Sequence, residues 1–116
     1  MKKYTIEYFL NKFENIPEDK WFTGTFHNAD MTKFCALGHC REIKGNMSIA
    51  SIESKALTEL SNRNIDLVND GLPGLLLDYN NLGNHPKERV INYLTLLNAL
   101  SKKERLELGI WANSKT

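Results

Sequence analysis

Lys33-Phe34-Cys35-Ala36-Leu37-Gly38-His39-Cys40-Arg41 marks a change of backbone preference along the chain. Before Cys35 the residues are aromatic and β-branched. Trp21-Phe22-Thr23-Gly24-Thr25-Phe26 reads as a short strand, His27-Asn28-Ala29-Asp30 as a turn, and residues 32–35 as a returning partner strand. After Cys35 the residues suit a helix, predicted over Ala36–Ile43 and stopped near Gly45-Asn46. Cys35 is thus expected at a strand-to-helix junction and at least about three-quarters buried. The same segment holds both cysteines of the chain and one of its three histidines.

Upstream, Ile6, Phe9, Leu10, Phe13 and Ile16 recur at helical spacing until Pro17, which predicts a first helix over about residues 5–15. Downstream, Ser48 or Ser51 is placed to cap a helix carrying Ile52, Ala56, Leu57 and Leu60, ended by Asn62-Arg63-Asn64. Ile65–Val68 reads as a strand closed by the turn Asn69-Asp70-Gly71. Leu72–Leu82 mixes proline, glycine and three consecutive leucines, so a packed irregular segment or short helix is expected. Asn84-His85-Pro86-Lys87-Glu88 has the form of a helix start, and Val90, Ile91, Leu94, Leu97 and Ala99 give that helix an apolar face. Ser101-Lys102-Lys103-Glu104 fits a capping box opening a further short helix that stops by Gly109, with residues 113–116 frayed. The expectation is a single α+β domain over residues 1–116, mainly helical with about four to five helices and a small two- or three-stranded antiparallel sheet.

At 116 residues the chain can bury one modest core, and 41% apolar with 25% charged residues argues against general disorder. Fifteen basic against fourteen acidic residues leave a formal charge of +1. Such a balance gives no strong field toward nucleic acid or an acidic membrane, and neither is expected as a partner. No apolar run approaches the ~20 residues that span a bilayer. Glu7, Asn11 and Lys12 interrupt any signal-peptide core behind Lys2 and Lys3, so a cytoplasmic protein with reduced cysteines is expected.

Chemistry is sought first at Cys35, His39 and Cys40. On a helix, Cys35 and His39 share a face and Cys40 is turned by roughly 100°. Zinc needs about four ligands; these three, with His27 or His85 brought in by folding and no CxxC pair, do not make a zinc pattern, and neither metal nor cofactor is expected. A nucleophilic Cys35 at a helix N-terminus is a second reading, with His39 or His27 as base and Asn69 or Asp70 as orienting group. Against it, both cysteines suit a small apolar core equally well. Asn69-Asp70-Gly71 either presents two polar side chains to a ligand or simply closes a tight turn. Trp21, Phe22, Phe26 and Phe34 form either an aromatic wall or core. In a core this small, Asn69 and Asp70 are expected within about 10 Å of the Cys35–His39 segment.

The succession of Trp21, Cys35-Ala36-Leu37-Gly38-His39, Val68-Asn69-Asp70-Gly71 and Pro86-Lys87-Glu88-Arg89-Val90-Ile91 resembles a family of small uncharacterised proteins of phage and bacterial genomes. Those proteins have a Cys-Ala-Leu-Gly segment, an Asn-Asp turn and a closing helix, and the likeness spans about residues 5–100. It implies a phage or mobile-element origin and carries no activity with it. The function expected is an accessory protein acting by binding. It would sequester a small nucleotide-like ligand or inhibit a host defence protein, with Trp21, Cys35, His39, Asn69 and Asp70 as ligand-binding residues. The alternative is a cysteine-dependent hydrolase or transferase with Cys35 as nucleophile and His39 as base. A third reading is a homo-oligomer formed through Leu75–Leu82 and the C-terminal helices.

Overall fold

The computed structural model describes residues 4–100 together with 103 and 104. Among them run α1 (Ile6–Glu14), β1 (Glu42–Lys44), β2 (Met47–Ile49), α2 (Ile52–Leu60), α3 (Ile65–Asp70) and α4 (Pro86–Ala99). Single 3-10 turns lie at Glu18–Lys20, Gly38–Cys40 and Tyr79–Leu82. The architecture is the expected mainly helical α+β fold, with a two-stranded antiparallel sheet.

Capping and periodicity account for three of the helices. Thr5 Oγ1 accepts the Tyr8 N–H at 3.1 Å and opens α1, which buries Ile6, Phe9 and Phe13 at helical spacing. Ser51 and Ser54 bond reciprocally at the start of α2, each side chain taking the other's backbone N–H. His85 Nδ1 accepts the Lys87 N–H at 3.1 Å, and Pro86 occupies the first turn of α4, where a missing N–H costs nothing. α1 and α3 both pack on α4. The core lies between them, where Phe9, Phe13, Ile65, Val68, Val90, Tyr93, Leu94 and Leu97 are buried with Leu57 and Tyr79.

Three segments differ from the sequence expectation. Ile65–Val68 is not a strand but the body of α3. Ile65, Val68 and Asn69 fall three and four apart on the buried face, and Gly71, at φ 73°, ends the helix in the left-handed region. Leu72 N–H donates to Leu67 O (2.9 Å) and Gly71 N–H to Val68 O (3.1 Å), the paired bonds of a Schellman ending. Helical spacing and a glycine stop here outweigh the β-propensity of isoleucine and valine.

Trp21–Phe26 does not pair as a strand either; Phe34 makes only isolated bridges, to Trp21 and to His27. Phe34 exchanges backbone bonds of 2.9 Å with Phe22 and Lys20, and Cys35 N–H donates to Phe26 O at 3.1 Å. Residues 23–26 bulge between those anchors as an exposed loop, turned at Gly24 (φ 94°). The predicted helix Ala36–Ile43 shrinks to the turn Gly38–Cys40, and Glu42–Lys44 extend as β1. Gly45-Asn46, expected to stop that helix, instead makes the two-residue loop of a hairpin, with Lys44 paired to Met47 and Gly45 at φ 61°. The Leu72–Leu82 segment is irregular, as expected, and ends in the Tyr79–Leu82 turn. Lys103 and Glu104 are helical; the rest of the expected Ser101–Gly109 helix and the frayed end lie outside the described residues.

Candidate functional site

A cleft of about 330 Å³ opens between α3 and the exposed loop, lined by Gly24, Thr25, Phe26, Cys35, Asp66, Asn69 and Asp70. Its floor is tied together by Asn69, only 1% exposed. The Asn69 Oδ1 accepts the Ala36 N–H at 2.9 Å, and its Nδ2 donates to Phe22 O at 2.8 Å. One side chain thereby fastens both sides of the Phe34 segment to α3. Arg89 of α4 holds α3 from behind: Nε donates to Val68 O (3.1 Å), Nη2 to Asn69 O (2.7 Å) and Nη1 to Gly83 O (3.2 Å). A cation on the last carbonyls of a helix also complements its dipole. Burial lowers the Arg89 pKa, while the charges of Asp70 and Glu88 oppose that shift. Gly38 allows the Phe26 backbone to pack closely against the Cys35–His39 segment, because a Cβ there would collide with the Phe26 carbonyl oxygen.

The wall is acidic. Asp70 Oδ1 accepts the Gly24 N–H at 2.9 Å, which pins the loop to α3, and the Asn69 amide approaches the same oxygen at 3.4 Å. Asp66 sits one helical turn earlier on the same wall. Burial, and then the charge of Asp70, hold its carboxyl above the usual carboxylate range. Among the described residues no lysine or arginine lines the cleft, and the Arg41 guanidinium stacks 4.0 Å from the centre of the Phe26 ring. Cys35 is 4% exposed, and burial pushes its thiol up to about 11, with the Asp66 and Asp70 charges adding to the shift. A thiol with that pKa is protonated at neutral pH and is a poor nucleophile.

Of the residues expected to bind ligand, the cleft gathers Cys35, Asn69 and Asp70, and the Ala36–Asn69 bond brings the Cys35–His39 segment directly onto α3. Trp21 and His39 lie elsewhere. Trp21 is buried edge-on against Phe13 and His39, with ring centroids 5.3 and 4.8 Å apart, and His39 also contacts Phe34 at 5.4 Å. Burial, with the Lys12 charge adding to it, pushes the His39 pKa down to about 4. The ring is therefore neutral at pH 7, and its buried Nε2 finds no hydrogen-bond partner among the described residues. The Cys35 sulfur accepts the Gly38 N–H at 3.3 Å rather than meeting an imidazole. His27, the other base considered, directs Nδ1 at the Asn28 carbonyl, 2.8 Å away. Cys40 is buried near Glu53 and Lys12, where desolvation raises its thiol pKa.

Gly24, Thr25 and Asp66 were not anticipated as lining residues; of the four aromatics expected as either a wall or core, Phe26 alone lines the cleft. The Asp66/Asp70 pair was visible only through its four-residue spacing, which places two side chains together once the segment is a helix. Among the described residues no group of three or more His, Cys, Asp or Glu side chains is placed to hold a metal ion. Nor is any helix among them long and apolar enough to cross a membrane. Fold and cleft together define a small α+β domain with a carboxylate-walled groove over a hydrogen-bonded floor. Compared with known proteins, the chain matches no family model, no curated protein and no solved structure.

Proposed function

We propose that the protein acts by binding, as a small cytoplasmic accessory of phage or mobile-element type that takes a small ligand into the cleft between α3 and the 23–26 loop. The observation that carries this reading is the lining. The Phe26 ring and the protonated Cys35 thiol lie beside two carboxylates, Asp66 and Asp70, in a space of about 330 Å³. A concave, partly apolar space with a few fixed polar groups is the usual form of a small-molecule site. With no cation among the described lining residues, a phosphate at the carboxylates would be repelled. The cleft suits a planar or apolar body carrying amine or amide N–H donors, and a nucleotide-like ligand would enter base first with its phosphates toward solvent.

Inhibition of a host defence protein is a second form of the proposal, favoured by Leu72, Leu75 and Leu76, which are exposed together on one loop. A Cys35-dependent hydrolase or transferase has the weaker support, since the thiol is held protonated and has no imidazole partner.

Native mass spectrometry of protein drawn from its producing cell tests the proposal. The expected spectrum shows a non-covalent small mass that is released on unfolding and absent from the Asp66→Asn/Asp70→Asn variant. A covalent adduct on Cys35 of the folded protein, lost in Cys35→Ser, would turn the assignment toward the enzyme.

A further inference from the structure

The hairpin has two unlike edges. A two-residue loop makes Lys44↔Met47 and Glu42↔Ile49 the hydrogen-bonded pairs of the ladder. Ile43 and Ser48 therefore turn their N–H and C=O groups outward, one on each free edge. On β2 that edge is closed, because Arg41 reaches across the sheet and donates from Nη2 to Ser48 O (2.8 Å) and from Nε to Ser48 Oγ (3.2 Å). On β1, no hydrogen bond among the described residues engages the outward groups of Ile43. Ile43 is 48% exposed, and all three residues of β1 are exposed. An unblocked strand edge is a template for another strand.

We infer that the β1 edge pairs with β1 of a second copy of this chain. The argument is self-complementarity. In an antiparallel pair centred on Ile43, the two Ile43 residues exchange both backbone bonds, Glu42 faces Lys44 of the other copy, and Lys44 faces Glu42 of the other copy. Opposite charges directly across a strand pair attract, and like charges repel. Alternation along β1 puts the two ion pairs on one face and the two isoleucines on the other. Within one copy the Lys44–Glu42 contact is long (3.9 Å) and solvent-exposed, so little opposes its exchange for the intermolecular pairs. A three-residue pairing is smaller than stable interfaces require and places the dimer in the weak, transient class. This surface is distinct from the cleft and from Leu75–Leu82.

Sedimentation velocity over a dilution series up to millimolar protein tests it, using Glu42→Lys and Lys44→Glu, two exposed changes whose folding is checked by circular dichroism. Each single variant sets like charges opposite one another and is expected to self-associate about tenfold more weakly than the wild type. Mixed together, the two variants face each other with opposite charges and are expected to recover wild-type association. A wild type that stays monomeric, single variants that dimerise as the wild type does, or a mixture that does not recover would each overturn the inference.

Discussion

The floor and the rim of the cleft are built partly from adjacent residues, Asn69 and Asp70, that use their hydrogen-bonding capacity in opposite ways. Asn69 turns inward, and its amide spends oxygen and nitrogen on backbone groups of the Phe34 region. Arg89 beneath it is committed to three carbonyls. Asp70 turns outward and accepts one close bond, from Gly24, while Asp66 accepts none among the described residues. A carboxylate offers about four lone-pair positions, so the rim keeps more unused acceptors than the floor, where both ends of the Asn69 amide are engaged. Buried polar groups here hold the cleft in shape, and the half-solvated ones are left to meet a ligand.

If that division is right, floor variants cost stability and rim variants do not. Arg89→Ala is expected to lose the most, about 3–5 kcal/mol in chemical denaturation, because three carbonyls lose charge-assisted bonds at once. A loss under about 1 kcal/mol would break the comparison at its deepest point. Asn69→Ala should cost about 2–4 kcal/mol by orphaning the Ala36 N–H and the Phe22 carbonyl. Asn69→Asp sharpens the result, since it keeps an acceptor for Ala36 but has no N–H for Phe22.

Cys35→Ser should cost about 1–2 kcal/mol, as a hydroxyl enters an apolar floor. In the folded wild type the Cys35 thiol, pushed up to about 11, should alkylate at pH 8 far more slowly than an ordinary cysteine. Alkylation at an ordinary rate would mean the floor is open.

His39 supplies a pH signature, absent at neutral pH. Its pKa is about 4 in the folded protein against an ordinary value of 6.5. The unfolded chain therefore takes up the proton first as pH falls. Stability is fully retained above about 6.5 and drains away between about 6.5 and 4, where the unfolded state binds more protons. The Tm of the wild type should fall over that window by more than that of His39→Phe. Equal falls would place the imidazole in contact with water.

Much of this was legible in the sequence, and the failures have physical causes. α1, α2 and α4 announced themselves through repeated apolar spacing, α2 and α4 also through caps at Ser51 and beside Pro86; the Thr5 cap of α1 was not read from the sequence. α3 has only six residues, too few for periodicity to outweigh the β-propensity of Ile65 and Val68. Gly71 suits a helix stop as well as a turn, and only the bonds of Gly71 and Leu72 back to Val68 and Leu67 distinguish the two. Gly45-Asn46 was ambiguous in the same way between helix stop and hairpin loop. The meeting of Asn69 with the Cys35 segment followed from the size of the core. Trp21 and His39 carry chemistry in isolation but were claimed by ring packing, which residue type alone does not reveal. Asp66 stayed hidden because its partnership with Asp70 needs the helix that the sequence reading replaced with a strand.

The most direct test is an amide NMR titration of the wild type with a panel of arylalkylamines and the matching aryl phosphates. The division between floor and rim predicts that the amines shift resonances of residues 24–26, 35 and 66–70, and that the phosphates do not. It further predicts that Asp66→Asn/Asp70→Asn abolishes those shifts without lowering the Tm. Shifts confined to another surface, a preference for the phosphates, or amine binding that survives the double variant would contradict it.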